Sequence, residues 1–280
     1  MTEQEQYEYI MTDMQKKLEW LKKNTNHNVA FMIAQGSMNY NMFVYDDNYK
    51  SDIDVKCAII PLFDDILQGK KMISRVYEME DKSHVEVKDI RLFIELWEKS
   101  NTSYMELLFS KYQIILNENI QKIIDMKDEI AVMNLTGLYK SLKGMASEKH
   151  KALCHPYPTL IEKIEKYGYD SKQLSHCFRL YYLAYDMIIN NLSYGESISL
   201  EHFGSLGKKE RALILKTKID NSYFIVDEAI EIAKSYCQNI KDLVEPEYDQ
   251  HEFNKETSKK LRNIVYDIVK EECVKELTNK

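Results

Sequence analysis

The spacing of apolar residues changes once along this chain, and that change limits what it can fold into. Up to about residue 115, short runs with strand character alternate with helical stretches. From about 117 onward only spacings of three and four occur, interrupted at His155-Pro156-Tyr157-Pro158, at Gly168 and at Gly195. Strands confined to one part of a chain and helices to the other predict an α/β protein of the α+β type. A small mixed sheet flanked by helices would come first, and an all-helical C-terminal domain second. The boundary falls softly between 115 and 130, giving domains 1–120 and 121–280. A chain of 280 residues is long enough for one large or two medium cores. Only 8 Gly and 4 Pro leave little material for linkers.

The elements follow in order. Residues 4–23 form a helix with Tyr7, Ile10, Met11, Met14, Leu18 and Leu21 on one stripe. Residues 29–34 are a first strand and 53–60 a second, closed by Pro61. Between them, 38–43 begins a short helix whose N-terminus faces Gly36-Ser37. Residues 73–79 and 84–87 make two strands joined by 80–83. Asp89 is placed to cap a helix over 90–99, and Asn101-Thr102-Ser103 to cap one over 104–109. The last helix, 254–277, carries Leu261, Ile264, Val265, Ile268 and Val269 on a stripe.

Charge and cysteine content narrow the classes. A net charge of −7 gives no global basic signal for nucleic acid, so such a surface would have to be local. The five cysteines are scattered without zinc spacing, which fits reduced thiols in a cytoplasm. The N-terminus is acidic and amphipathic, unlike a signal peptide. No apolar run reaches the ~18–20 residues needed to span a membrane.

One stretch carries chemistry. The first strand runs into Gln35-Gly36-Ser37, and the second carries Asp52 and Asp54 two residues apart. Strand side chains alternate, so these two carboxylates share a face. Such a pair is tolerated cheaply only in water or against a cation. Beside a Gly-Ser turn it points to a divalent metal meeting a phosphate. Gly36 lets backbone approach closely and Ser37 offers a hydroxyl. Glu86 is the candidate third carboxylate, on one face of a neighbouring strand with His84 and Lys88. Asp89 is the alternative, with helix capping as its competing role. Lys50 and Ser51 precede the acidic pair and are candidate phosphate contacts, although an exposed lysine also simply faces water. The plain alternative is a surface turn, an ordinary strand edge and a solvated Glu86.

Gly36-Ser37 followed by Ser51-Asp52-Ile53-Asp54 resembles the signature of the DNA polymerase beta-like nucleotidyltransferase superfamily. The resemblance implies that the Gly-Ser turn holds the triphosphate of an NTP. It also implies that Asp52 and Asp54 bind Mg²⁺ (or Mn²⁺), joined by a later carboxylate, here Glu86. Where the family often has a glycine several residues after the serine, this chain has Asn41 and Phe43. The further stretches EVKDIRLF, ELLFSKY and KYGYDSKQLSHCFRL resemble a bacterial and phage branch of uncharacterised nucleotidyltransferase-like proteins, over most of 30–185. The implied reaction moves an NMP from an NTP to a hydroxyl acceptor (an RNA end, a small molecule or a protein) and releases pyrophosphate. The competing function on the same fold is a catalytically silent nucleotide-binding or antitoxin-like partner-binding protein.

A second constellation lies in the helical part. On a helix starting near Ser171, Lys172, His176 and Arg179 fall at spacings of four and three and share a face. They suit a triphosphate, with Tyr167 or Tyr169 stacking on a base. The alternative is a solvated basic face with tyrosine in the core. Leu174, Phe178, Leu180, Tyr181 and Leu183 belong to the core.

Overall fold

Five short runs pair into one open mixed sheet: β1 (Asn28–Gln35), β2 (Asp54–Ile60), β3 (Ser74–Glu78), β4 (His84–Asp89) and β5 (Gln113–Ile115), in the order β3-β4-β2-β1-β5. The structure is a computed structural model describing residues 1–199 and 205–278, without the side chains of 205–207. β2 runs antiparallel to β1 and parallel to β4. It therefore lies inside the sheet, and every residue from Val55 to Ile60 is buried. β3 lies at an edge, where four of its five residues are exposed.

Each sheet face is covered by different helices. Helix α1 (Glu3–Asn24) starts at a Thr2–Glu5 capping box. Its stripe of Ile10, Met14, Leu18 and Leu21 packs with Met32, Ala34, Val55, Cys57, Val85 and Val87. After the short α2 (Phe63–Leu67), helix α3 (Ile90–Glu98) covers the other face. Asp89 caps α3, its carboxylate accepting from the Arg91 amide and guanidinium, so the alternative third carboxylate is committed to the cap. Phe93 of α3 meets Phe31 edge-on at 5.1 Å between centroids. It also meets Trp97 and Tyr104, the latter on α4 (Thr102–Met105). The short helices α5 (Ile120–Asp125) and α6 (Lys127–Ala131) follow β5.

The helical part comprises α7 (Leu135–Ala152), α8 (Ile161–Tyr167), α9 (Ser171–Ile188), α10 (Tyr194–Ile198), α11 (Ser205–Ile219) and α12 (Val226–Val244). α9 is its central element and packs on α7, α10, α11 and α12. Gly168 ends α8 at φ 80°, and a Cβ there would come within 2.9 Å of Val226.

The division differs from a cut at 120/121. Compactness groups 1–39, 43–134 and 254–280 into one unit, and 40–42 with 135–253 into another. The last helix, α13 (Lys255–Thr278), returns to the sheet unit because Leu261, Val265 and Ile268 are fully buried there. Arg262 and Ser258 also bond Glu98 at the end of α3. The short helix expected over 38–43 is a single 3-10 turn, Ser37–Tyr40, followed by Asn41 at φ 56°. A positive φ cannot continue a right-handed helix. The five cysteines are free. Among the described residues no helix is long and apolar enough to cross a membrane.

Phe93 is fully buried at the junction of β1, α3 and α4. Phe93→Ala is expected to cost about 3–5 kcal/mol, read from the urea midpoint at an unchanged slope.

Candidate functional site

Register decides which side chains meet. In the parallel pair, Val55 stands beside Val85 and Lys56 beside Glu86. Asp54 faces Gln35 across β1, directly before Gly36. Side chains two apart on a strand share a face, so Asp54, Lys56 and Glu86 project from the same side of the sheet. That side is opposite the α1 core. Glu86 therefore lies on the face of Asp54, as expected. Asp52 precedes the first residue of β2, so the two aspartates are not both strand residues. Both are exposed.

Glu86 is not waiting for a ligand. Its Oε2 is held by the Lys56 ammonium, and its Oε1 by Lys88 at 2.8 Å and the Tyr104 hydroxyl at 2.6 Å. Lys56 is buried, 6% exposed, with its ammonium 4.3 Å from the centroid of the Tyr104 ring. Burial raises the Glu86 pKa, but hydrogen bonds from Lys56, Lys88 and Tyr104 outweigh it and bring the value to about 2. Burial drives the Lys56 pKa down against the pull of Glu86. The pair is thus strongly favourable for the carboxylate and costly to desolvate for the ammonium.

The Gly-Ser turn is supported from inside. Gly36 adopts φ 102°, a conformation that side chains with a Cβ rarely adopt. Its amide donates to Oε1 of Glu106 at 2.8 Å, and Glu106 is only 2% exposed. The Gly36 amide therefore points into the protein rather than toward an incoming anion. Ser37 follows and opens the 3-10 turn Ser37–Tyr40. Asn39 within that turn donates to the Ala34 carbonyl, leaving its buried Oδ1 without a partner.

The acidic stretch is likewise anchored from below. Lys17 of α1, 2% exposed, pairs with Asp13 at 2.6 Å and donates to the Ile53 carbonyl, between the two aspartates. Ser51 closes the preceding loop: its amide donates to the Val44 carbonyl and its Oγ accepts from the Val44 amide. Lys50 lies 5.1 Å over the Tyr45 ring. Both residues have structural work in this loop.

A divalent cation is tested by these donors. Carboxylate oxygens are the hard ligands magnesium takes, and Asp52 and Asp54 offer two. Both oxygens of Glu86 are taken, by Lys56 on one and by Lys88 and Tyr104 on the other. Among the described residues no three His, Cys, Asp or Glu side chains are gathered as a metal cluster.

Lys172, His176 and Arg179 belong to the helical unit. α9 starts at the Asp170 cap and carries all three. Burial, and after it the charges of Arg179, Lys149, Lys172 and Lys218, hold the His176 pKa well below its usual value. His176 is therefore neutral at neutral pH and adds no cation to the expected face. Arg179 is buried, with its guanidinium 3.8 Å from the Tyr40 ring centroid. Tyr169 is fully buried and donates to the Phe224 carbonyl, which makes it core rather than a stacking platform.

Four residues escaped the sequence reading: Lys17, Lys56, Tyr104 and Glu106. The signal for Lys17 was its position on the α1 stripe, three after Met14 and four before Leu21. Tyr104 sits beside and Glu106 within the quoted ELLFSKY stretch, where nothing in the spacing tells a buried acid from an exposed one.

Comparison with known protein families and with curated proteins returns no match to this chain.

Two outcomes are expected. The folded pKa of Glu86 lies below its unfolded value, so its stabilisation is complete above about pH 4.5 and is lost as pH falls through about 2. Glu86→Gln is expected to be less stable than wild type by ~3 kcal/mol at neutral pH, with the gap closing toward pH 2 in urea titrations. Glu106→Leu leaves the Gly36 amide without its acceptor and is expected to cost about 1–3 kcal/mol. Glu106→Gln keeps an acceptor oxygen and should recover most of that loss.

Proposed function

We propose that the sheet unit is a nucleotidyltransferase, transferring an NMP from an NTP to a hydroxyl acceptor with release of pyrophosphate. One observation carries this: Asp54, Lys56 and Glu86 stand on one sheet face, with Asp54 opposite the residue that leads into the Gly36-Ser37 turn. Ser37 would bond a phosphate oxygen through its hydroxyl. Asp52 and Asp54 would hold Mg²⁺ or Mn²⁺, which when bound supplies charge neutralisation at the reacting phosphate. The acceptor hydroxyl oxygen would bond to the α-phosphorus as the bond to the pyrophosphate oxygen breaks, its proton passing to the oxygen of Glu86 that Lys56 releases. Glu86 with a pKa of about 2 is a weak base while Lys56 holds it. Lys56 would therefore exchange Glu86 for a phosphate oxygen, freeing Oε2 on the face of Asp54 while Lys88 and Tyr104 keep Oε1 in place. The acceptor class, whether an RNA end, a small molecule or a protein hydroxyl, is left to experiment.

The same geometry favours a second function through one specific feature. Both oxygens of Glu86 are already bonded, as they would be in a nucleotide-binding or partner-binding protein without turnover.

Pyrophosphate release from each of the four NTPs with Mg²⁺ or Mn²⁺, in the presence of candidate acceptors, separates the two. Asp52→Asn and Asp54→Asn are expected to abolish release. Both residues are exposed, so stability should stay within about 0.5 kcal/mol of wild type. Wild-type rates in the double variant would rule out the transferase. NTP binding by calorimetry with no release from any acceptor would favour the silent binder.

A further inference from the structure

The outer edge of β3 is a second surface with its own logic, independent of the proposed reaction. In the β3–β4 hairpin, the Met79 amide donates to the Ser83 carbonyl and the Asp89 amide to the Ile73 carbonyl. Residues of an antiparallel strand alternate between facing the partner and facing away. Ile73, Arg75, Tyr77 and Met79 therefore turn their backbone groups to β4, and Ser74, Val76 and Glu78 turn theirs outward. Among the described residues no strand pairs with that edge. The strand contains no proline, and Val76 at its centre is 60% exposed. Leu67 and Met72, on the approach to β3, are 68% and 43% exposed. A row of outward amides and carbonyls with exposed apolar neighbours is a template for another strand.

The sequence of β3 complements itself. Place a second copy antiparallel with Val76 on the two-fold axis. All five residues then pair: Ser74 with Glu78, Arg75 with Tyr77 and Val76 with its own symmetry mate. The outward residues Ser74, Val76 and Glu78 meet one another as hydrogen-bonded pairs, so every outward amide and carbonyl finds a partner. No like charges stand opposite. Arg75, whose guanidinium already lies 5.7 Å over the Tyr77 ring of its own strand, would face the partner's Tyr77. Lys88, which donates to Ser74, lies beside the position of the partner's Glu78. A slip of two residues in one direction sets Arg75 against Arg75, and in the other leaves only three residues paired.

We infer that this chain forms a two-fold dimer through antiparallel β3–β3 pairing, which joins two five-stranded sheets into one continuous sheet. Sedimentation equilibrium of the full chain tests it. The wild-type protein should associate reversibly to a dimer as concentration rises. Val76→Lys and Val76→Glu each place like charges on the axis and should weaken association about tenfold or more. An equimolar mixture of the two variants places opposite charges there and should restore the dimer. Val76 is exposed, so circular dichroism should show both variants folded. A wild-type monomer at every concentration would overturn the inference. So would dimers that persist in each variant alone, or a mixture that stays monomeric.

Discussion

A half-buried carboxylate held by two ammonium groups and a phenol ties together one face of the sheet. Lys56 and Glu86 are neighbours only because β2 and β4 run parallel in one particular register. A slip of one residue would turn Lys56 toward Val85 or Val87 and expose the apolar sides of both strands. A slip of two would leave a desolvated ammonium without its carboxylate, which costs several kcal/mol. Hydrophobic pattern and ion pair thus select the same register by different physics. Tyr104 adds a third constraint, since its hydroxyl reaches Glu86 while its ring covers Lys56 and packs on Phe93. The charge cluster and the aromatic core beneath α3 are in this way one structure.

Support from beneath recurs at each exposed part of the candidate site. The Gly36 turn rests on Glu106, and the peptide between Asp52 and Asp54 rests on Lys17. Both supporting groups are ionisable side chains and 2% exposed. Burying such groups is tolerated only where they are bonded. Their combined effect is to hold backbone while leaving the Asp52 and Asp54 side chains in solvent. Glu86 is the opposite case, fixed and already neutralised.

The legible part of this chain was the part written in local periodicity. The α1 stripe, the unbroken apolar run of β1, the Asp89 cap and the Gly-Ser turn all depend on residues within a few positions of each other. What was not legible depends on partners far along the chain. Glu106 is 70 residues from Gly36, and Lys17 is 36 from Ile53. Nothing in their own neighbourhoods marks them as buried, since a lysine or glutamate on a helix is ordinarily solvated. Alternation alone put Glu86 on one face with Lys88; that this is also the face of Asp54 and Lys56 needs the strand order and register as well. The same limit applies to α13, whose apolar stripe was visible while its return to the sheet unit was not. In the helical unit, equal spacing made Lys172, His176 and Arg179 look equivalent. Burial and neighbouring cations then separated them, leaving His176 neutral and Arg179 against Tyr40.

Lys56 sits at the centre of the functional question because its two roles pull in different directions. As a structural ion it fills the space between Asp54 and Glu86 with positive charge and keeps the face from collecting unopposed carboxylates. Burial nonetheless disfavours its ammonium form, so the group is held only by the acids around it. An incoming triphosphate offers oxygens of the same charge and greater number. Exchange of Glu86 for phosphate would then replace one ion pair with another. The desolvation of Lys56, the largest unfavourable contribution, has already occurred on folding. On the proposed reaction a pre-desolvated lysine is thus an advantage: the folded state has met that cost before any ligand arrives, and the Glu86 oxygen that Lys56 releases lies on the face of Asp54.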